Sequence, residues 1–543
     1  MNASESNTPL GHLLLLIPLS ILAIAFFSRL TQLEARPMHG DEANQAVKAG
    51  ALLDEGFYRY DPLDHHGPTL YYFSLVSARL FGQRTFIDTS ERTFRVVPAL
   101  FGIGIVILIL LLRNGLGTPA AWSAALLAAV SPAQTYYSRY FIQETLLVFF
   151  TLALLLCGWR YLRRPGLGWA FAAGTCIGLM HATKETSVIA WAAIAAALVA
   201  TRLWKKRSGE EAGLAMRPVH LAAAIALAVA VSVTLYSSFF TYARGPLDSI
   251  LTYGHYLQQG GEPTLHEKPW TYYLAQMAYV HNGAGPHWSE AMLLLLALIG
   301  AIAILRFPKR LVGDRDLSRF LLLFATFMTV VYSALPYKTP WTMLSLHIAI
   351  VLIAGIGMAA LLRYRPRIFT GLSVKDVKTG RVRVRLRLRS PAKGFIFVLC
   401  IVGIAHLAYQ SWLANARYPA DPRNPYVYAH TSPAFMKLVD RIEDIAAVHP
   451  DSEAMLIHVI QPDEDYWPIP WYLRRFERVG YWKTIPDSPD AAIIIADRDL
   501  AEALDAQLQE NYVVEMHGLR PSVLRSVYIR EDLWKAFIET RKP

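Results

Sequence analysis

The sequence predicts a polytopic α-helical membrane protein of about eleven transmembrane helices followed by a small exported α/β domain. Three observations predict it. The 543 residues are 54% hydrophobic with a mean hydropathy of +0.29, and the apolar residues come in long blocks; a soluble multidomain protein does not carry such blocks. Lys and Arg concentrate in short segments between alternate blocks, as in the cytoplasmic loops of membrane proteins. After residue 413 the blocks give way to short strand and helix patterns. The net charge of +11 is therefore a matter of topology, and no nucleic-acid partner is expected.

The apolar segments run roughly over 11–30, 94–112, 119–135, 144–162, 167–182, 186–204, 217–239, 290–306, 318–335, 341–362 and 395–413. The first has the length of a signal peptide. Its leader lacks Lys and Arg and many spans follow, so it reads as an uncleaved first helix. Cys157, Cys176 and Cys400 all lie inside apolar blocks. They read as core residues and offer neither a disulfide framework nor a metal knuckle.

Positive charge follows the fourth segment (Arg160, Arg163, Arg164), the sixth (Arg202, Lys205, Lys206, Arg207) and the eighth (Arg306, Lys309, Arg310, Arg315, Arg319). The most basic stretch, loop 363–394, follows the tenth. All four loops fall on one side, which the positive-inside rule makes cytoplasmic. The amino terminus is then cytoplasmic and residues 414–543 are periplasmic or extracellular, with the chain in the cytoplasmic (inner) membrane. The alternation from Arg381 to Arg389 reads as an amphipathic strand, half of a hairpin after Lys378-Thr379-Gly380, anchoring the loop to anionic lipid headgroups.

The opposite face collects the polar motifs. The first loop, 31–93, carries Asp41-Glu42 and His65-His66-Gly67-Pro68; Ser138-Arg139-Tyr140 with Gln143 and Glu144 follows the third span. His181 and Lys184 follow the fifth, an aromatic loop, 240–289, the seventh, and Pro336-Tyr337-Lys338-Thr339-Pro340-Trp341 the ninth. Structural charges would scatter over both faces, whereas charge beside hydrocarbon is costly and is retained for a partner or a function. In the exported region, strands are expected over Ala454–Ile460, Ala491–Ala496, Asn511–His517 and Val523–Ile529, with helices near 433–447 and 498–508. Residues Asp465–Arg475 read as the start of a helix that docks on the membrane domain or grips an acceptor, docking being the favoured reading.

Asp41 and Glu42 also read as an ordinary helix start, with Asp41 as the cap and Glu42 in the first turn. Neighbours on a helix point about 100° apart, so one carboxylate can act as general base while the other holds the loop. Arg139, Lys184 and Lys338 lie near span ends at the depth of a lipid phosphate, where snorkelling is their structural reading. His181 and Glu185 have the spacing of a local helix pair. His65 and His66, with Asp41, Glu42 or His255, have ligand types that suit zinc or manganese, though in no compact motif. The aromatic loop suits sugars and the membrane interface alike.

The ordered set resembles a known group. Asp41-Glu42, His66-Gly67-Pro68 with Leu70-Tyr71-Tyr72, Phe81-Gly82 and Arg92 to Pro98 resemble the GT-C superfamily of polytopic glycosyltransferases, on the branch of protein O-mannosyltransferases and the aminoarabinose transferase ArnT. Ser138-Arg139-Tyr140, Glu144, Lys184, Tyr337 to Trp341 and Trp467-Pro468-Ile469-Pro470-Trp471-Tyr472 look closer to the "flippase activity-associated" proteins of archaea and bacteria. The resemblance implies a GT-C-like domain over 1–413 that transfers a sugar from a polyprenyl-phosphate donor to a lipid, protein or polysaccharide acceptor. It implies Asp41 as base with Glu42 beside it, and Arg139, Lys184 and Lys338 at the donor phosphate. It also implies a cavity lined by His66 and Glu144; His65, His181, His255 and Tyr337 are further candidates for that cavity, and Glu42, His66 and His255 are candidates for a possible divalent metal whose ligands the resemblance does not match residue by residue. Two other readings are a lipid-linked sugar flippase or flippase accessory, and a receptor whose exported domain binds glycan. Against transport, the chain shows no internal repeat and its polar motifs hug one face.

Overall fold

The eleven apolar segments are helical in the computed structural model, the third broken at Ser131 into two helices; the structure describes residues 9–63, 66–211, 216–259, 266–363, 372–375, 383–386 and 391–542. The chain begins α1 (Pro9–Leu30), α2 (Gly40–Glu55), α3 (Thr69–Leu80), α4 (Glu91–Leu111), α5 (Arg113–Leu116), α6 (Thr118–Val130) and α7 (Pro132–Tyr137). It continues through α8 (Glu144–Arg163), α9 (Leu167–His181), α10 (Ser187–Arg207) and α11 (Pro218–Tyr236). Next come α12 (Gly245–Gln259), α13 (Tyr272–Ala278), the hairpin β1 (Val280–His281) and β2 (His287–Trp288), then α14 (Ala291–Arg306), α15 (Arg315–Ala334) and α16 (Leu344–Arg363). Strands β3 (Leu372–Lys375) and β4 (Arg383–Leu386) pair antiparallel in the basic loop, as a hairpin there requires, and α17 (Pro391–Trp412) follows.

Among the described residues seven helices are long and apolar enough to cross a membrane, and four shorter apolar ones lie in α1, α6, α9 and α14. α16 is the central helix, buried along most of its length, whereas most of α11 is left for lipid. Lipid is as apolar as leucine, so helices in a bilayer gain from close packing and not from hiding oil. α14 and α16 accordingly cross where Gly300 meets the Ile353 main chain and Gly357 meets that of Leu296; any side chain there would strike backbone. On the far side of α16, Gly355 packs against Ala120 and Ala124 of α6.

The two long loops are less loop-like than the sequence predicts. Loop 31–93 holds α2 and α3, and the aromatic loop 240–289 holds α12, α13 and the β1–β2 hairpin. Residues 413–428 pack into the helical core. Beyond them a sheet of order β6-β5-β7-β9-β8 forms from β5 (Leu456–Ile460), β6 (Arg478–Trp482), β7 (Ile493–Asp497), β8 (Tyr512–Arg520) and β9 (Val523–Arg530). Strands β6, β5 and β7 are parallel, and β9 and β8 add antiparallel. Side chains alternate across it. Ile493 and Ile495 join the core under α18 (Met436–Val448) and α21 (Glu531–Thr540), while Ile494 and Ala496 join a smaller core with Leu504 of α20 (Ala501–Asp505).

The four expected strands are present; β6 is an addition, an edge strand whose mixed exposure hides its period. The helix expected over 465–475 shrinks to one turn, α19 (Ile469–Tyr472), because Pro468 and Pro470 remove backbone donors there. That turn does dock on the first loop. Trp471 Nε1 donates to Glu91 at 3.0 Å, Arg474 Nη2 donates to the Thr89 carbonyl at 2.7 Å and stacks on Trp471, and Met38 N donates to the Tyr472 hydroxyl at 2.8 Å.

Candidate functional site

The start of α2 is a capping box. His39 Nδ1 accepts from Asp41 N at 2.9 Å, and Glu42 Oε2 accepts from His39 N at 3.1 Å. The cap is therefore His39, not Asp41 as the sequence suggested: Asp41 is the second helical residue, and its own N–H is among those that need capping. The Asp41 side chain is left half-exposed, its nearer oxygen 3.9 Å from His39 Nδ1.

Glu42 is fully buried and fully used. Its Oε1 accepts from Arg36 Nη2 at 3.0 Å, Arg95 Nε at 2.8 Å and Phe141 N at 3.0 Å, and its Oε2 also accepts from Arg95 Nη2 at 2.8 Å. Burial alone would raise this carboxyl, but the charges of Arg36 and Arg95 and the bonds from Arg95 and Phe141 hold it down to about 2. Arg95 also donates to the carbonyls of Leu33, Arg36 and Pro37. Glu42 is thus the hub that ties 33–37, α2, α4 and the turn before α8 into one corner. Sequence reasoning passed over Arg36 and His39 and used Arg95 only as part of a motif. A charge entering a span, as Arg95 does, was the available signal.

Around Asp41 the surroundings are aromatic and polar. His39 Nε2 donates to the Tyr428 carbonyl at 2.9 Å, and the Tyr428 hydroxyl and His266 Nδ1 are 2.6 Å apart. The His266 ring lies 4.9 Å from that of Tyr337, and Trp341 packs on both His39 and Tyr428. Asp41 acts on this ring of groups: burial lowers His266 while Asp41 opposes it, and burial together with Asp41 raises Tyr428. Burial raises Tyr337 as well, with Lys184 opposing and Asp41 reinforcing. One tyrosine therefore senses both a predicted base and a predicted cation. Tyr428 arrives from the far end of the chain and carried no sequence signal.

Lys184 is buried in an ion pair with Glu144. Next to it, Glu185 pairs with His66 Nδ1 at 2.8 Å. The expected His181–Glu185 helix pair does not form, because α9 ends at His181 and Glu185 lies in the turn beyond. His181 Nδ1 instead meets Ser232 Oγ at 2.6 Å, and its ring stacks on Trp191 and Tyr253. Gly67 lets the first loop lie against the Ala182 main chain, where Thr69 N donates to the Ala182 carbonyl at 3.0 Å; a side chain at 67 would strike that backbone. Glu144 Oε2 and Glu185 Oε1 are buried without a partner among the described residues. Two unmet acceptors beside a cation suit a ligand rich in hydroxyls.

The other predicted cations do different work. Lys338 is buried, its ammonium donating to the carbonyls of Lys268, at 3.1 Å, and Leu335. The segment around it pairs with 266–268, which sets Tyr337 beside His266. Arg139 donates to the carbonyls of Thr31 and Gln32 at 2.7 and 2.9 Å and lines a cleft with Arg36 and Arg95. His65 lies outside the described residues, and so does the side chain of His255, which belongs to α12. The metal expectation on Glu42 is corrected by its spent oxygens, and His66 has its Nδ1 on Glu185. Among the described residues no three His, Cys, Asp or Glu side chains group as a metal site.

Comparison with known proteins agrees with this architecture. Residues 72–246 match the family model described as dolichyl-phosphate-mannose-protein mannosyltransferase. ArnT from Cupriavidus metallidurans bound to undecaprenyl phosphate is similar at 15% identity over 96% of this chain and 99% of that one, with a TM-score of 0.59. The apo state of the same protein gives 16% identity, coverage of 96% and 98%, and a TM-score of 0.61. The archaeal oligosaccharyltransferase AglB from Archaeoglobus fulgidus, in complex with an inhibitory peptide and a dolichol-phosphate, gives 13% identity, coverage of 97% and 77%, and a TM-score of 0.52. No curated protein matches. The chain is a multi-pass membrane protein with the fold of the GT-C glycosyltransferases, as the resemblance to that superfamily read from its motifs predicts.

Proposed function

We propose that this protein is a membrane glycosyltransferase that moves a sugar from a polyprenyl-phosphate donor to an acceptor on the outer face of the cytoplasmic membrane, with Asp41 as general base. The observation that carries the reading is the unequal use of two adjacent carboxylates: Glu42 is locked by five hydrogen bonds, while Asp41 is half-exposed on the same rigid helix start. A base needs spare acceptor capacity and access, on a fixed support.

The reaction is an inverting displacement. Asp41 takes the proton of an acceptor nucleophile as its heteroatom bonds to the anomeric carbon, and the bond to the phosphate oxygen breaks on the opposite side. Polyprenyl phosphate leaves as an anion and needs no proton from an acid. Lys184 and Tyr337 are assigned to that phosphate: Lys184 is a buried ammonium paired with Glu144, and the Tyr337 ring lies 4.9 Å from His266. Glu144 Oε2 and Glu185 Oε1 are assigned to donor hydroxyls. The lipid phosphates present in the structures of ArnT and AglB support the donor class.

Purified protein incubated with a panel of polyprenyl-phosphate sugars should release polyprenyl phosphate from at least one of them, and Asp41→Asn should stop the release. Release that is unchanged in Asp41→Asn would end the assignment of the base.

A further inference from the structure

The cationic side of the Glu42 hub opens into a narrow cleft with interior room for about one water and a mouth open to solvent. Arg36, Arg95, Arg139, Tyr136 and Asn415 line it, with Ala35 at the rim. Three guanidiniums line it together, those of Arg36, Arg95 and Arg139, and Arg36 Nη2 donates to the Arg139 carbonyl at 3.1 Å. Glu42 pairs with Arg36 and Arg95; among the described residues no carboxylate pairs with Arg139 or Arg29. Carbonyl oxygens satisfy the geometry of these donors without cancelling their charge.

The excess is felt locally. Burial and then the charges of Arg36 and Arg95 push the Arg139 guanidinium down to about 10, which leaves it protonated at neutral pH. Arg36 is nine-tenths buried, faces the cleft and keeps its Nε without a partner. A buried charge without a counter-charge is expensive, and an anion seated here would neutralise it. Asn415, from a π-helical turn, Leu413–Arg417, at the end of α17, closes one wall of the cleft, its amide donating to Thr135 Oγ1 at 3.2 Å and to the Ser411 carbonyl at 2.8 Å.

The surroundings indicate where the anion comes from. The last turns of α1 expose Phe26 and Phe27, and the end of α17 exposes Tyr409 and Trp412 as a stacked pair. Aromatic rings at the end of a lipid-facing helix mark the headgroup level. We propose that the mouth of this cleft binds a phosphate group, carried by an anionic membrane lipid, at a site separate from Asp41. The planar guanidiniums suit its oxygens.

The test uses the full chain, delipidated in a neutral detergent, with melting followed by tryptophan fluorescence and no sugar donor present. Failure of glycosyl transfer therefore leaves its outcome untouched. Phosphatidylglycerol should raise the melting temperature at a concentration roughly tenfold below that at which sodium phosphate does so, with sodium chloride of matched ionic strength as the reference. Arg139→Gln should remove both effects. Because Arg139 also holds two carbonyls and its loss can unfold the corner, Ala35→Glu serves as the second variant. It keeps every arginine and supplies a carboxylate at the rim, so it should melt no lower than the native chain and lose the response to lipid and phosphate. Sodium phosphate acting as well as the lipid would overturn the lipid assignment in favour of free phosphate. No shift beyond chloride, or an undiminished shift in Ala35→Glu, would overturn the site.

Discussion

Two regions meet at the start of α2 and treat their carboxylates in opposite ways. Behind the helix, Glu42 sits at 0% exposure inside a shell of guanidiniums and backbone donors. In front, Asp41 faces an aromatic ring of His39, His266, Tyr337 and Tyr428, with half of its side chain in the open. The two residues are bonded to each other, so chain position cannot explain the contrast. The helix turns them about 100° apart, and the corner fills one direction with arginine while leaving the other for a ligand. A carboxylate whose lone pairs are all taken makes a good tether and a poor base.

The contrast is broken most directly by Asp41→Asn. Turnover should fall on the order of 10²- to 10⁴-fold, while the melting curve moves by no more than about 0.5 kcal/mol, as for an exposed position. The reverse pattern is expected of Glu42→Ala. Leaving Arg36 and Arg95 buried without their carboxylate should cost about 3–5 kcal/mol of stability, read by thermal or denaturant melting. An E42A protein that melts like the native chain would show that the hub carries no load.

Acid sharpens the same difference. Glu42 is held well below its ordinary value of 4.5, at about 2. A depressed carboxyl stabilises the fold above its unfolded-state pKa, and that stability drains as pH falls through the folded one. Melting temperature should therefore drop between about pH 4.5 and pH 2, and Glu42→Gln should flatten that part of the profile.

The buried Lys184–Glu144 pair offers a smaller effect with a distinct signature. Lys184→Met and Glu144→Leu should each destabilise by stranding a charge, and the double variant should regain most of the loss, since apolar pairs replace buried ion pairs at little cost. Recovery of stability without recovery of turnover would keep Lys184 at the donor phosphate. Smallest of all, Tyr428→Phe removes the hydroxyl that meets His266. One net hydrogen bond is worth about 1 kcal/mol, so a several-fold loss of turnover is expected with stability nearly intact. A loss as large as that of Asp41→Asn would make Tyr428 a participant in the chemistry.

Much of the architecture was readable in advance because it rests on local properties. All eleven apolar segments are helices, as hydrophobic length alone requires. The four expected strands are in place, β5 and β7 as near-continuous apolar runs buried on both faces, and β6 escaped because an edge strand shares its faces between core and water. The site was legible as a set of residue types on one face and illegible as a set of contacts. Arg95 reaches Glu42 across 53 residues, and Tyr428 reaches His39 across 389; no periodicity connects such pairs. Arg139 and Lys338 show what the sequence hides: both are cations at span ends, and both donate to main-chain carbonyls that no local pattern announces.

The amino-acid sequence by itself determined the membrane class, the number of apolar helices, the strand-bearing carboxyl-terminal region and the acidic pair as the point of interest. Those follow from hydropathy, charge placement and period, each decided within a few turns of chain. Only the tertiary structure decided that Glu42 is the tether and Asp41 the free carboxylate, and that His39 is the cap. The physical reason is that an acid's role depends on how many donors surround it, and those donors arrive from helices and turns that only folding brings together.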